Sequence, residues 1–216
     1  MRTAVLLALA AVLTLTGCDS PAPPGPTSAV PGRSTAGEVR VAIVGDSITD
    51  VQSPDFSAGR IDPESWASEV LDEGRVFAGG YAVWGATTEQ MAAAVQPLDA
   101  DVLIVLAGTN DMALGVPFAE TAANLEAIAE TVGAPRVVLS AIPPIDWTPG
   151  ASDDFNAQLE RLARDEGWEW VDPMGRIESG GEFREGMSDD GVHPSARASR
   201  LIGEAIESAV WPEDGA

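Results

Sequence analysis

The chain has 216 residues, of which 45% are hydrophobic, so it is long enough for one domain with a sizeable buried core. Its 34 acidic residues outnumber 12 basic ones, all of them Arg, and the net charge of -22 argues against nucleic-acid partners and against electrostatic attachment to anionic membranes. A single Cys and a single His exclude an internal disulfide, a Cys-rich zinc site and a multi-His metal centre. Acidic oxygen ligands for a divalent cation are available, although we expect neither a metal nor another cofactor.

Residues 1–18 are typical of a secretory signal peptide, with the lone Arg2 followed by an apolar run over residues 4–15. This run is shorter than the ~20 residues that a membrane-spanning helix needs. It ends in Leu-Thr-Gly-Cys, which resembles the lipobox of bacterial lipoproteins and implies lipidation of Cys18. We therefore expect an extracytoplasmic protein held at the cell membrane by a lipid anchor only. The alternative is an ordinary secreted protein in which Cys18 is incidental.

Residues 19–37 are rich in Pro, Ser, Gly, Ala and Thr and contain almost no large apolar side chain. Such a segment has nothing to bury, so we expect a flexible tether. The folded domain is predicted over residues 38–212, and residues 213–216 form an acidic tail.

Within the domain, short runs dominated by Val, Ile and Leu show little polar alternation, as in strands that are buried on both faces of a parallel sheet. The strongest runs are residues 39–44, 101–107 and 136–142, and weaker ones are residues 76–78 and 168–171. Segments with helical spacing of apolar residues lie between and after them, at residues 122–132, 155–163 and 201–210. Thr87 and Gln90 have the spacing of a capping box at the start of another helix. This alternation predicts a doubly wound α/β sandwich.

In such folds ligands bind beyond the carboxyl ends of the strands, so the segments that follow the strands indicate the chemistry. They are Gly45-Asp46-Ser47, the stretch from Gly79 to Thr88, Gly108-Thr109-Asn110-Asp111, and Asp189-Asp190-Gly191-Val192-His193. Together they offer a hydroxyl, a glycine turn, an amide and an Asp/His pair. Acyl transfer needs these groups: a nucleophile, a base whose pKa lies near neutral pH, a carboxylate that orients the base, and hydrogen-bond donors for the oxyanion.

These four blocks resemble those of the SGNH hydrolases, the GDSL-type esterase and lipase superfamily. They occur in family order between Gly45 and His193. The resemblance implies a three-layer α/β/α flavodoxin-like sandwich with a five-stranded parallel sheet in the order 2-1-3-4-5. It also implies site roles, namely Ser47 as nucleophile, His193 as base, Asp190 as its orienting carboxylate, and Ser47, Gly85 and Asn110 as the oxyanion hole.

Two positions depart from the family pattern. The first block often has a Gly a few residues after its Ser, whereas Asp50 and Val51 stand here, and the usual Asn five residues before Gly85 is Gly80. Simpler interpretations of single residues also exist. Ser47 alone would suit a helix N-cap, Asn110 with Asp111 an Asx turn, and His193 a surface loop, while Asp189 is a rival to Asp190.

Four apolar residues after the second to fourth strands are candidates for the substrate cleft, with core or rim packing as the alternative for each: Trp84, Met112, Ile145 and Trp147. The leading hypothesis is an extracytoplasmic serine esterase that hydrolyses a neutral O-acyl ester, short-chain or acetyl, on a small molecule or glycan. An acyltransferase or deacylase of cell-envelope glycans is a second hypothesis, and a non-catalytic binding lipoprotein on the same fold is a third. A nucleotide-binding role is disfavoured because no glycine-rich phosphate loop is present.

Overall fold

The computed structural model describes residues 37–71 and 74–212. The predicted signal peptide, the predicted lipidation site Cys18, nearly all of the predicted tether and the predicted acidic tail lie outside these residues. Within them, no helix has the length and apolar character needed to cross a membrane.

Five parallel strands form one sheet in the order β2-β1-β3-β4-β5, which confirms the predicted fold class. The strands are β1 (Val39–Gly45), β2 (Arg75–Ala82), β3 (Val102–Leu106), β4 (Arg136–Ser140) and β5 (Glu169–Val171). All five residues of β3 are buried, as expected of a central strand that is covered on both faces. Strand order reverses between β1 and β3, so their carboxyl ends mark the expected ligand position.

In the described part of the chain, seven α-helices connect and flank the strands. They are α1 (Ser47–Asp50), α2 (Trp66–Val70), α3 (Thr88–Ala94), α4 (Thr109–Leu114), α5 (Phe118–Val132), α6 (Ala151–Glu166) and α7 (Ala196–Val210). Helix α2 packs against α7, while α5 packs against α3 and α6. The apolar stripe of α7 is buried at Ile202, Ile206 and Val210, and the Gln90 side chain accepts a hydrogen bond from the Thr87 N–H (3.0 Å), as the capping box predicts.

Strand β2 is longer than the sequence predicts. Gly79 and Gly80, which look like a turn in the sequence, continue the strand and pair with β1 after a shift in register. A Cβ atom at position 80 would collide with the carbonyl oxygen of Ile43. The missing Asn of the family pattern therefore has a steric cause, because β1 approaches β2 too closely here for any side chain.

Candidate active site

Ser47 lies at the first residue of α1, directly after β1. A Cβ at Gly45 would lie 2.8 Å from the carbonyl oxygen of Leu106, so the tight strand-to-helix turn requires glycine. Asp46 caps the helix through its carboxylate, which accepts a hydrogen bond from the Ile48 N–H (3.0 Å). The N-cap is thus Asp46, and the side chain of Ser47 is left for other contacts.

Hydrogen bonds from the start of α2 hold the turn that carries Ser47 in place. The Thr49 carbonyl accepts a hydrogen bond from the Ser65 hydroxyl (2.6 Å), and the Thr49 hydroxyl accepts one from the Trp66 indole N–H (3.1 Å). Thr49, Ser65 and Trp66 are all buried. Buried, satisfied hydrogen bonds of this kind hold a backbone segment in a single position.

His193 lies between Ser47 and Asp190. Its Nε2 is 3.0 Å from the Ser47 Oγ, and its Nδ1 is 2.7 Å from the Asp190 Oδ2. The other Asp190 oxygen accepts the backbone N–H groups of Val192 (2.9 Å) and His193 (2.8 Å). Partial burial raises the pKa of Asp190, but the hydrogen bonds from the His193 side chain and from both N–H groups outweigh this effect and lower the pKa to about 2. Asp190 is therefore an anion throughout the neutral range.

Ser188 and Asp146, which lie outside the motifs, hold the loop that carries His193. The Ser188 hydroxyl donates to the His193 carbonyl (2.7 Å) and accepts from the Gly191 N–H (2.9 Å). The Asp146 carboxylate accepts from the Phe183 N–H (2.8 Å), and its backbone N–H donates to the Gly191 carbonyl (2.9 Å). Ser188 lies close to the fourth block in sequence and was open to prediction on that ground. Asp146 is remote, so no local pattern indicates its contact.

The three predicted oxyanion donors lie on different elements. Ser47 begins α1, Gly85 lies in the loop after β2, and Asn110 is in the first turn of α4. Among the described residues, neither the Ser47 nor the Gly85 backbone N–H donates to a protein acceptor. The Asn110 Nδ2 is 3.0 Å from the Ala86 carbonyl and 3.3 Å from the Asp46 carboxylate, so its amide faces the loop that carries Gly85 and the turn that carries Ser47.

Two fully buried carboxyl groups lie behind these residues. Asp111 accepts hydrogen bonds from the Thr88 N–H (2.9 Å) and from the hydroxyls of Thr88 and Thr121, which ties α4 to α3 and α5. Asp46 is completely buried, and this burial raises its pKa to about 7. Hydrogen bonding by the Ile48 N–H and the charge of His193 oppose the shift, whereas the charge of Asp111 adds to it.

The four candidate cleft residues differ in exposure. Trp84 is 54% exposed, and its ring lies 4.8 Å from the His193 ring, measured between centroids. Trp147 is 64% exposed, while Met112 is half-buried and packs against the core. Ile145 is only 2% exposed, so the structure gives it a packing role instead of a place on the cleft wall.

The segment after α1 contains a second departure from the family pattern. Val51 has a φ angle of 54°, and it is the one non-glycine residue with positive φ in the described part of the chain. Its carbonyl accepts a 2.6 Å hydrogen bond from the Trp84 indole N–H. A β-branched residue rarely adopts this conformation, so Val51 stands where a glycine would be relaxed.

This arrangement suits proton transfer between a hydroxyl, an imidazole and a carboxylate, which is the chemistry of serine hydrolases. Residues 37–71 and 74–212 contain no group of three or more His, Cys, Asp or Glu side chains arranged to hold a metal ion.

Solved structures with the same fold include several hydrolases. An acetylxylan esterase from Geobacillus stearothermophilus superimposes with a TM-score of 0.66 at 14% identity, over 84% of this chain and 98% of that chain. A GDSL-like lipase from Bacteroides thetaiotaomicron gives 0.60 at 22% identity, over 79% and 87% of the two chains. A member of the lipolytic G-D-S-L family from Veillonella parvula gives 0.56 at 19% identity, over 79% and 96%.

No curated protein matches the sequence. The sequence model of the GDSL-like lipase/acylhydrolase family matches residues 43–201, which include the four blocks from Gly45 to His193. The chain therefore belongs to the GDSL-like lipase/acylhydrolase family and is an ester hydrolase on an α/β fold of five parallel strands.

Proposed function

We propose that the protein is a serine esterase that cleaves a neutral O-acyl ester, with a short or acetyl acyl group, through a covalent acyl-enzyme. One observation carries this proposal. The His193 ring lies within hydrogen-bond distance of both the Ser47 hydroxyl (3.0 Å) and the Asp190 carboxylate (2.7 Å), so one proton path joins three groups from distant parts of the chain.

In the first half-reaction the Ser47 Oγ attacks the ester carbonyl carbon, and its proton passes to the His193 Nε2. Asp190 accepts the Nδ1–H, fixes the tautomer that has a free Nε2, and stabilises the imidazolium. Negative charge develops on the former carbonyl oxygen, where the N–H groups of Ser47 and Gly85 donate to it. The Asn110 amide joins them by giving up its longer contact (3.3 Å) to Asp46.

Collapse of the tetrahedral intermediate breaks the bond between the carbonyl carbon and the alcohol oxygen. His193 gives its proton to that oxygen, and the alcohol leaves. Water then attacks the acyl-enzyme while His193 takes one of its protons, and the proton returns to Ser47 as the carboxylic acid is released. The cycle consumes one ester and one water and needs no cofactor.

Three observations support the choice of substrate. The net charge of -22 disfavours anionic esters. Trp84 and Trp147, the two most exposed of the candidate cleft residues, offer flat apolar surfaces of the kind that sugar rings and small acyl esters contact. The acetylxylan esterase with the same fold makes a sugar acetate a reasonable first substrate to assay.

We also propose that the protein acts outside the cytoplasm, held at the membrane by a lipid on Cys18. The support is the sequence of residues 1–18 alone. Mass spectrometry of the mature N-terminus tests this proposal, and we expect a lipid-modified Cys18 as its first residue. An unmodified N-terminus beyond Cys18 would contradict it.

Activity is tested with the full-length protein on p-nitrophenyl esters from acetate to octanoate and on an acetylated sugar. We expect the highest kcat/KM on the shortest chains and loss of activity in a Ser47→Ala variant. Equal rates of ester hydrolysis by the wild-type protein and the Ser47→Ala variant at every chain length would reject the proposed esterase activity.

A further inference from the structure

A cavity of about 430 Å³ lies next to the proposed active site and is lined by residues of α1, of the segment after it and of the end of β2. Its wall contains the aromatic side chains of Phe56, Tyr81 and Trp84 and the carboxyl groups of Asp50 and Asp55. None of these residues has a role in the proton path described above.

Trp84 connects the cavity to the proposed active site. Trp84 lines the cavity and also contacts the ring of His193, with 4.8 Å between the ring centroids. Because His193 must deliver its proton to the alcohol oxygen, the alcohol part of the ester lies beside the imidazole. A group carried by that alcohol would then lie near the exposed ring of Trp84, which lines the cavity and donates a hydrogen bond to the Val51 carbonyl (2.6 Å).

The charges in the cavity are not balanced. Asp55 is neutralised by an ion pair with Arg60 (2.6 Å), whereas Asp50 forms no ion pair with any described residue. Burial raises the pKa of Asp50, the Trp84 N–H partly opposes this effect, and the negative charge of Asp62 raises the pKa further. A positive charge bound beside Asp50 would act against both raising effects, because an opposite charge stabilises the carboxylate.

We propose that this cavity binds a cationic ammonium group carried by the alcohol part of the ester, with Asp50 as its counter-ion and Trp84 as an aromatic contact. Carboxylates and aromatic faces together are the groups that recognise ammonium ions. A neutral sugar ring would stack on Trp84 but would leave the charge of Asp50 uncompensated, so the charge balance favours the cation. This proposal rests on the proposed esterase function, and it replaces the neutral ester proposed above with an ester whose alcohol part is cationic.

The experiment compares two acetate esters of nearly equal shape with the full-length protein. One is acetylcholine, and in the other a neutral tert-butyl group replaces the trimethylammonium group. The readout is the ratio of their kcat/KM values, corrected for the rates at which hydroxide hydrolyses the two esters. We expect a ratio of about 10 for the wild-type protein, which corresponds to ~1.4 kcal/mol of preference for the cation.

Asp50→Asn is expected to bring the ratio close to one. The matched control is Glu166→Gln, which removes one exposed carboxylate at the end of α6, at the opposite edge of the sheet, and should leave the ratio unchanged. This pair of variants separates a local contact from attraction by the overall charge. A wild-type ratio of one, or an equal fall in both variants, would overturn the proposal.

Failure of the esterase function looks different, because then neither ester is hydrolysed faster than by the Ser47→Ala variant. In that case calorimetry decides the binding proposal by itself, with choline as the probe. We expect choline to bind the wild-type and Ser47→Ala proteins and to bind the Asp50→Asn variant about 10-fold more weakly. Absence of choline binding to the wild-type protein, with or without ester hydrolysis, rejects the cationic subsite.

Discussion

The carbonyl of Val51 accepts a 2.6 Å hydrogen bond from the indole N–H of Trp84, and this bond joins the segment after the proposed nucleophile to the ring that contacts His193. Trp84→Phe keeps an aromatic ring but removes the donor, so the ring is free to turn away from the histidine. We expect kcat/KM on p-nitrophenyl acetate to fall several-fold, in line with a net hydrogen-bond contribution of about 1 kcal/mol.

Trp211→Phe is a matched control for that change, because the Trp211 Nε1 is buried without a hydrogen-bond partner among the described residues. The same substitution there removes no hydrogen bond and lies far from Ser47 in sequence. An equal loss of kcat/KM in both variants would show that the bond to Val51 has no specific role.

Val51→Gly tests the strain at that position. A φ angle of 54° strains valine, whereas glycine adopts it without strain. Glycine, however, loses more conformational entropy on folding, which offsets part of the gain. We expect the free energy of unfolding in urea to rise by about 1 kcal/mol. Val83→Gly, at a position without positive φ, should lower it, and a lower value for Val51→Gly as well would contradict the assignment of strain.

Asp190→Asn tests the orientation of the histidine. An amide in place of the carboxylate allows the imidazole to take the wrong tautomer and removes the counter-charge of the imidazolium, so kcat should fall by about 10,000-fold, as is typical of this change in a Ser-His-Asp triad. The pKa of Asp190 is about 2, so Asp190 stays ionised between about pH 5 and pH 9. Its ionisation should therefore not shape the pH profile of the wild-type enzyme in that range. A variant with near-normal kcat would reject the proposed role.

Asn110→Ala tests the oxyanion hole. Removing one preorganised donor typically costs about 100- to 1000-fold in kcat, and we expect that loss with little change in KM, because the donor acts on charge that develops only in the transition state. A raised KM with an unchanged kcat would instead assign Asn110 to substrate binding.

Asp46 makes stability depend on pH in an unusual direction. Its pKa is about 7 in the folded protein against 3.8 as the ordinary value, so between these values the folded state keeps a proton that the unfolded chain releases. The contribution of Asp46 to the free energy of unfolding must therefore fall as the pH rises from about 4 to about 7. Asp46→Asn should remove this slope in urea unfolding measured across that range, and an unchanged slope would contradict a buried, protonated Asp46.

The sequence predicts the central part of the fold well, because strands buried on both faces consist of continuous apolar runs such as residues 101–107. It predicts β2 poorly. Gly79 and Gly80 have the composition of a turn, and only the close approach of Ile43 in the neighbouring strand shows why glycines stand inside a strand. Local composition carries no information about that approach.

The same distinction applies to the site. The motifs led to Ser47, Asp190 and His193, and the structure brings these three side chains within hydrogen-bond distance. The support from Asp146 was not predictable, since its partners are remote in sequence and ordinary in type. For Ile145 the sequence left a cleft role and core packing open, and the structure buries it, because burial depends on how the loop after β4 packs.

Ser47 and His193 are 146 residues apart, and the histidine is followed directly by α7, which packs on α2 near the start of the domain. No early fragment of the chain contains both groups, and a chain that lacks its last helix loses the packing of α7 on α2. Ester hydrolysis is therefore a measure of completed folding. Recovery of activity during refolding should follow the slowest step that brings the two ends of the domain together.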